Sequence, residues 1–148
     1  IIVKSVSSVK SLLVKFGLIL VIGLAIFGNI EVWGADWKLF HSDEESFSYY
    51  DAEGITRSSG NTVKVWVKKV YTKEGVIGAI QKLGKSVEKL SLEMHLFEIN
   101  CVENNRHFLY SIWYSEKGEV IHSDSKPGEW TSIVPESIGE MLYKAVCK

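Results

Sequence analysis

Hydrophobic and polar residues alternate along several short stretches of this chain, which is the pattern of half-buried β-strands. The clearest stretch is TVKVWVKKVYT, residues 62–72. Its valines fall on one face, and two lysines and a tryptophan fall on the other: Val63, Val65 and Val67 against Lys64, Trp66 and Lys68. Because β-branched and aromatic residues at period two fit a pleated surface, we predict a strand whose valines enter the core.

Five further stretches complete a predicted antiparallel meander of about six strands: residues 36–40, 47–51, 92–101, 106–114 and 119–125. Gly118 suits a tight turn before the last of them, since glycine takes positive φ freely. Between Leu96 and Phe97 the apolar phase slips by one residue, so either both faces of that strand are covered or a β-bulge shifts the register. On the returning strand we place four residues on one face: Phe108, Tyr110, Ile112 and Tyr114.

Two other stretches have the spacing of helices. Residues 74–90 carry an apolar stripe, but Gly78 and Gly84 weaken it, so a weak helix and a mobile excursion between strands both remain open. The C-terminal stretch has the best helical pattern, with Pro135 in the first turn and this stripe: Ile138, Met141, Leu142, Ala145 and Val146. The predicted fold is α+β, an antiparallel sheet packed by a C-terminal helix.

The N-terminal region has the pattern of a secretory signal peptide. Three lysines precede the uncharged 13-residue run FGLILVIGLAIFG, residues 16–28, and small residues follow it near Gly34 and Ala35. The run is shorter than the roughly 20 apolar residues that span a membrane. We therefore predict a signal peptide over residues 1–35 and a mature domain over 36–148, with an uncleaved anchor as the alternative and no membrane span after cleavage.

Charge argues against one class of partner. Three of the 17 basic residues and one of the 18 acidic residues precede Asp36, so the remaining chain has a formal net charge of −3. Phosphate backbones bind concentrated positive surfaces, and no block of lysine or arginine is present. We expect no nucleic-acid partner.

The chain has two cysteines, Cys101 and Cys147. An exported chain with an even number of cysteines most simply pairs them, which predicts a Cys101–Cys147 disulfide. A buried free thiol and a reactive thiol remain as alternatives. Because Cys147 lies opposite the apolar stripe of the C-terminal helix, the pairing requires this helix to end or unwind near Ala145 and Val146.

Candidate chemistry is sparse. The four histidines are His41, His95, His107 and His122, and none has the spacing of a zinc site, so we expect no metal and no cofactor. Cys101 and His107 would form a nucleophile and a base only if Cys101 were reduced. We therefore expect no enzymatic activity.

Aromatic residues carry a stronger signal. Trp66 and Trp113 fall opposite the main apolar sets of their predicted strands, and Lys64 and Lys68 flank Trp66. Exposed aromatic residues on a rigid sheet are common anchors of protein interfaces. These four residues are the candidate interaction surface, and the alternative is that a helix or loop covers the tryptophans.

The chain resembles the bacterial surface-adhesin protein E family over nearly all of residues 36–148. The resemblance rests on YYD at 49–51, VKVWVKKVY at 63–71, LFEINC at 96–101 and the ending GEWTSIVPESIGEMLYKAVC at 128–147. The matching positions are Trp37, Tyr49, Tyr50, Asp51, Val65, Trp66, Val67, Lys68, Tyr71, Glu98, Ile99, Asn100, Cys101, Trp130, Ile133, Pro135, Ser137, Gly139, Leu142 and Cys147. The resemblance implies a C-terminal helix tied to the sheet by the disulfide, display at the cell envelope, and adhesion to proteins.

We therefore expect an exported, non-enzymatic interaction module at the cell envelope or surface, in the periplasm or secreted. The expected partner is a protein of the envelope or extracellular matrix. The alternative is a soluble periplasmic protein that binds a small ligand or inhibits another envelope protein.

Overall fold

The computed structural model describes residues 34–58 and 60–148, so the predicted signal peptide falls almost wholly outside the described residues. The described residues form eight strands: β1 Trp37–Ser42, β2 Ser46–Asp51, β3 Thr56–Arg57, β4 Thr62–Tyr71, β5 Leu90–Asn100, β6 Asn105–Ser115, β7 Val120–Asp124 and β8 Thr131–Ser132. The helices of this described part are α1, Lys73–Leu83, and α2, Ile138–Val146, and a 3₁₀ turn spans Lys85–Val87.

One antiparallel sheet contains all eight strands, in the order β1-β2-β4-β5-β6-β7 with β3 beside β4 and β8 beside β6. The six long strands are the predicted meander, which the structure confirms. The two short strands were not predicted. Neither helix in the described part of the chain is long and apolar enough to cross a membrane.

Both helices pack on one side of the sheet, which we call the helix face. The main core joins Val63, Val65 and Val67 of β4 and Ile99 of β5 to three residues from the C-terminal region, Ile133, Leu142 and Val146. A second cluster joins Ala79, Val87 and Leu90 to Tyr71 and Trp113. Tyr71 comes four residues after Val67 on β4, and residues an even number apart on a strand share a face. The second cluster therefore lies on the same face as the first.

The other side of the sheet, which we call the open face, carries Lys64, Trp66 and Lys68 of β4. Residues directly opposite in neighbouring strands share a face, so the register adds Tyr49 of β2, Met94 and Leu96 of β5, and Tyr110 and Ile112 of β6. Neither helix of the described chain covers this face, because the contacts of both lie on the helix face.

A β-bulge explains the slip in apolar phase. Leu96 pairs with Tyr110 while Phe97 pairs with Phe108, so Leu109 of β6 is the extra residue. Of the two explanations left open for the slip, the bulge is the one present. The prediction that Phe108 shares a face with Tyr110 is wrong. Phe108 lies opposite Phe97 on the helix face, because the extra residue on β6 reverses the alternation between Phe108 and Tyr110.

The predicted helix over residues 74–90 forms only in part. Thr72 caps α1, since its Oγ1 accepts a hydrogen bond from the Gly75 N–H at 3.1 Å. Gly84, with φ of 86°, ends the helix, and Leu90 already belongs to β5. Leu83, placed in the predicted stripe, is 54% exposed and outside the core.

The C-terminal helix is present but begins later than predicted. Its N-cap is Ser137, whose Oγ accepts from the Glu140 N–H at 3.2 Å, so Pro135 precedes the helix. The buried side is formed by Gly139, Leu142 and Val146. The predicted stripe is therefore wrong at Ile138 and Met141, which are 46% and 42% exposed.

The predicted disulfide is confirmed. Cys101 and Cys147 are bonded, with 5.5 Å between their Cα atoms. The helix ends at Val146, and Cys147 has left the helical conformation, with φ of −93° and ψ of 59°. The early end of the helix turns Cys147 back toward the end of β5, as the pairing required.

Candidate functional site

The open face contains three of the four candidate residues. Val63, Val65 and Val67 are buried beneath α2, and the pleat of β4 therefore directs Lys64, Trp66 and Lys68 to the opposite side. The alternation predicted from the sequence thus places these three side chains together. They lie in the central part of the sheet, where neighbouring strands on both sides fix the backbone.

Trp66 is held by a neighbouring aromatic ring. It pairs across strands with Leu96, and its ring meets that of Tyr110 edge-on, with 6.0 Å between centroids and 80° between planes. Such edge-to-face pairs contribute about 0.5–1.5 kcal/mol beyond the area that they bury. Trp66 is therefore a half-exposed but oriented side chain.

Lys68 lies over two aromatic rings of the neighbouring strands. Its Nζ is 4.3 Å from the ring centroid of Trp37 and 5.3 Å from that of Tyr49. Partial burial lowers the pKa of Lys68. The cation–π contacts hold the ammonium group at the open face, so the positive charge there has a fixed position.

A second chain of contacts begins at Lys64 and runs across β5 and β6. Lys64 Nζ lies 4.0 Å from one carboxylate oxygen of Glu98, and the other oxygen lies 3.0 Å from Nε2 of His107. His107 Nδ1 is 3.1 Å from the carbonyl oxygen of Gly128, and its ring stacks on Trp130 with 4.0 Å between centroids. These contacts tie the segment before β8 to the open face.

Trp130 was not among the predicted site residues, yet it is 44% exposed at the end of this chain of contacts. Its position depends on the pairing of β8 with β6, which is a tertiary contact between two very short strands. No local pattern in the sequence marks that pairing. The tryptophan therefore entered the sequence analysis only through the family resemblance.

Trp113, the fourth candidate, does not join the other three. It pairs with Glu93 on the helix face and packs beside the cluster of Ala79, Val87 and Leu90. Its Nε1 donates a hydrogen bond to Ser111 Oγ at 3.0 Å. Trp113 therefore fits the alternative that a helix covers the tryptophan, and it lies apart from the open face.

Hydrophobic residues of the open face are all partly or largely exposed. The buried hydrophobic residues of β4 and β5 all lie on the helix face: Val63, Val65, Val67, Leu90 and Ile99. On the open face, by contrast, Trp66, Met94, Leu96, Tyr110 and Ile112 are half-buried, and Leu39 and Phe47 near the β1 edge are exposed. Contiguous exposed apolar area of this kind is typical of a binding surface.

A separate cleft lies at the other side of the molecule. It has a volume of about 470 Å³ and lies between the start of α1, residues 88–90 and the turn that joins β6 to β7. Val76, Ile77 and Leu90 supply apolar walls, and charged residues of both signs surround the opening: Lys73, Lys89, Lys117, Glu88, Glu116 and Glu119. The volume is in the range of small-molecule sites.

The side chains that could act as a nucleophile or a base already take part in a disulfide or in polar contacts. Cys101 is bonded to Cys147 and so has no thiolate to act as a nucleophile. His107 contacts Glu98 and Gly128, and His95 Nε2 lies 2.9 Å from a carboxylate oxygen of Glu93. Within residues 34–58 and 60–148, no three side chains of the metal-ligating types come together.

One protein family matches this chain. The sequence model of the family described as Surface-adhesin protein E matches residues 37–148, which is most of the chain and nearly all of its described part. No curated protein and no solved structure matches the chain.

Proposed function

The chain belongs to the surface-adhesin protein E family, and from this premise we propose that residues 36–148 form an exported, non-enzymatic module that binds protein partners at the cell envelope or surface. The observation that carries the proposal is the open face. It combines a rigid sheet, half-exposed aromatic rings and the positive charge of Lys68, which lies over two of those rings. These are the features of a protein-binding surface rather than of a catalytic site.

The charges of this face indicate the chemistry of the partner. Lys64 and Lys68 flank Trp66 on β4, although the net charge of the mature chain is negative. A partner surface with an apolar patch and carboxylates at its border would match both features. We propose that a Trp66 anchor supplies the affinity and that the lysines supply orientation.

Export is supported by the sequence rather than by the described structure. The basic and apolar pattern of residues 1–35 is that of a signal peptide, and a disulfide persists in oxidising compartments. The family assignment supports a location at the surface or outside the cell. We propose that cleavage near Ala35 releases the domain into the envelope.

Binding would be tested on purified protein with a panel of extracellular-matrix and envelope proteins fixed to a sensor surface. Trp66→Ala should weaken binding to the captured partner at least tenfold, the size of effect that defines an interface anchor. Lys68→Gln should mainly slow association and reduce its dependence on salt. Leu83→Ala is the control, because Leu83 is an exposed apolar residue that lies on α1, away from the open face.

Binding that is lost equally in Trp66→Ala and Leu83→Ala would place the interface elsewhere. Absence of binding to every member of the panel, with urea unfolding confirming a folded domain, would remove the adhesion function. Protease treatment of intact cells tests the location separately. Digestion of the domain on intact cells supports surface display, whereas protection until the outer membrane is opened supports a periplasmic location.

The second candidate is a periplasmic protein that binds a small ligand or inhibits another envelope protein. The 470 Å³ cleft beside α1 favours it, since its apolar walls and mixed charges suit an amphipathic small molecule. Ile77→Glu would place a charge in that cleft without touching the open face. Ligand binding that is sensitive to Ile77→Glu, together with protection from protease on intact cells, would favour this candidate.

A further inference from the structure

Arg106 of β6 lies on the helix face, close to the start of α2. Its guanidinium carbon is 4.9 Å from the ring centroid of Phe97, a stacking distance for an arginine on an aromatic ring. A Cβ atom added at Gly139 would lie only 3.1 Å from the same carbon, so the guanidinium also lies against the first turn of α2. Protein atoms on two sides therefore restrict the position of this group.

The two arginines of the chain are used differently. Arg57 donates a hydrogen bond from Nη2 to the carbonyl oxygen of Val146 at 2.8 Å. Among the residues that the structure describes, the Arg106 guanidinium donates no hydrogen bond, and no carboxylate oxygen lies within 4.0 Å of its nitrogens. Partial burial lowers the pKa of Arg106, which records loss of hydration without a compensating partner.

A cleft of about 290 Å³ opens beside this group. Phe97 and Phe108 supply apolar walls, and the segment from Gly128 to Thr131 supplies the opposite side. Gly128 donates its N–H to the Phe108 carbonyl oxygen at 3.0 Å, and a Cβ at position 128 would lie 2.7 Å from the Phe108 ring. The segment therefore passes close to the ring, and the shape of the cleft is set by backbone contacts.

We propose that this cleft binds a carboxylate attached to a flat apolar group, with the carboxylate on the Arg106 guanidinium and the apolar group against Phe108. A guanidinium stacked on a ring keeps its N–H groups free at its edge, where they match the two oxygens of a carboxylate. Glu129, which lines the cleft, opposes a second negative charge and so favours a singly charged ligand.

Two sources could supply such a group: a free small aromatic carboxylate, or the C-terminal carboxylate of a protein that ends in an aromatic residue. Arg106 lies on the other side of the sheet from Trp66 and Lys68, although His107 of the contact chain from Lys64 also lines the cleft. The probes are 3-phenylpropionate and a pair of peptides Gly-Gly-Phe, one with a free carboxylate and one amidated. Binding is followed by titration calorimetry and by the ¹⁵N-edited NMR signal of the Arg106 side chain.

We expect the free-acid probes to bind and the amidated peptide not to bind. Arg106→Gln should abolish binding, and Arg106→Lys should weaken it about tenfold because the charge stays while the paired hydrogen bonds are lost. Glu129→Gln should tighten binding, since it removes a negative charge from the cleft. Lys82→Gln, in the last turn of α1 and outside both clefts, is the matched loss of one positive charge and should leave binding unchanged.

The relative affinities identify the source. Tighter binding of the free-acid peptide indicates a chain terminus, and tighter binding of 3-phenylpropionate indicates a small molecule. Failure of both acids to bind at millimolar concentration, or equal binding of the acid and the amide, overturns the proposal. If Arg106→Gln does not fold, the NMR shift of Arg106 in the wild-type protein and the effect of Glu129→Gln still decide it.

Discussion

Tyr143 donates the hydrogen of its hydroxyl group to the carbonyl oxygen of Cys101, with 2.8 Å between the two oxygens. Tyr143 is in α2, and Cys101 follows the last residue of β5. The disulfide from Cys101 to Cys147 joins the same two segments. Arg57 of β3 donates a hydrogen bond to the carbonyl oxygen of Val146, the residue before Cys147. The end of α2 is therefore held to the sheet by one covalent and two hydrogen-bonded ties.

Tyr143→Phe removes one of these ties without changing the shape of the side chain. We expect it to lower the free energy of unfolding by about 0.5–1.5 kcal/mol, the usual net value of an intramolecular hydrogen bond. Urea unfolding measures the change. Tyr110→Phe is the control, because no protein hydrogen bond of its hydroxyl is present in the described structure, and it should change stability by less than about 0.5 kcal/mol.

Replacement of both half-cystines, Cys101→Ser with Cys147→Ser, removes the covalent tie. The bond closes a loop with a sequence separation of 46 residues. The chain-entropy account gives a stabilisation on the order of 4 kcal/mol for such a loop. We expect a loss of this size in urea unfolding, with a smaller loss if the reduced unfolded chain keeps residual structure.

Intact-mass measurement with a thiol label tests the same bond in the natural protein. Neither cysteine should react until a reducing agent is added. Labelling of folded, unreduced protein at Cys101 would contradict the structure and would reopen the thiol chemistry that the disulfide excludes.

The sequence predicted those parts of the fold that follow from local periodicity. Alternation of apolar and polar residues marked β4 and, in part, β2, β5 and β6, whereas β1 and β7 were placed mainly by the polar turns beside them. The three open-face residues of β4 followed from the same alternation, since buried valines on one side fix the direction of the residues between them. The strands β3 and β8 have two residues each and no period to detect.

Tertiary contacts decide the features that the sequence could not supply. The slip at Leu96 and Phe97 signalled a bulge, but its position on β6 depends on pairing between two strands, so Phe108 was assigned to the wrong face. Trp113 was a candidate surface residue because it lies opposite the main apolar set of its predicted strand, with cover by a helix or loop as the alternative. The return of α1 over that end of the sheet covers it in part, and this packing has no local signature.

Two neighbouring apolar residues of α2 differ in burial, so substitutions at them show which side of the helix enters the core. Leu142 is 1% exposed and packs with Val63 and Val65, whereas its neighbour Met141 is 42% exposed. Leu142→Ala should lower the free energy of unfolding by about 2–5 kcal/mol, since it leaves a cavity in the main core. Met141→Ala should change it by less than about 0.5 kcal/mol. Equal losses in urea unfolding would show that the helix is rotated from the orientation described.

Two glycines in α1 differ in what surrounds them. A Cβ at Gly75 would lie 2.0 Å from the carbonyl oxygen of Glu45, which is backbone, whereas a Cβ at Gly78 would lie 3.2 Å from the flexible carboxylate of the same residue. Gly78→Ala should stabilise the protein by up to about 1 kcal/mol through helix propensity. Gly75→Ala should destabilise it, because the turn that precedes β2 must move away from α1. Thermal unfolding compares the two, and stabilisation by both would contradict this close approach.

Glu93 is the buried carboxylate of the helix face, only 8% exposed. One of its oxygens accepts a hydrogen bond from the Tyr71 hydroxyl at 2.8 Å, and the other lies 2.9 Å from Nε2 of His95. Burial alone would raise the pKa of Glu93, but the hydrogen bonds from His95 and Tyr71 outweigh it and hold this pKa below the ordinary value of 4.5. Burial and the charge of Glu93 raise the pKa of Tyr71, so the phenol remains a donor.

A depressed pKa makes the stability of the fold depend on pH in one direction. The contribution of ionised Glu93 is fully present above its unfolded pKa, near 4.5, and is lost as the pH falls through the lower folded value. Glu93→Gln should therefore lower the free energy of unfolding by about 1–3 kcal/mol at neutral pH, and the difference from wild type should shrink in acid below that range. Urea unfolding across this pH range measures the difference in the free energy of unfolding. Asp43 and Glu140 also have a lowered pKa, but their contributions cancel in the difference because both proteins carry them. Glu129→Gln changes an exposed carboxylate, so its free energy of unfolding should follow that of wild type across the pH range. If the difference between Glu93→Gln and wild type stays constant into acid, the ionised Glu93 carboxylate does not stabilise the fold.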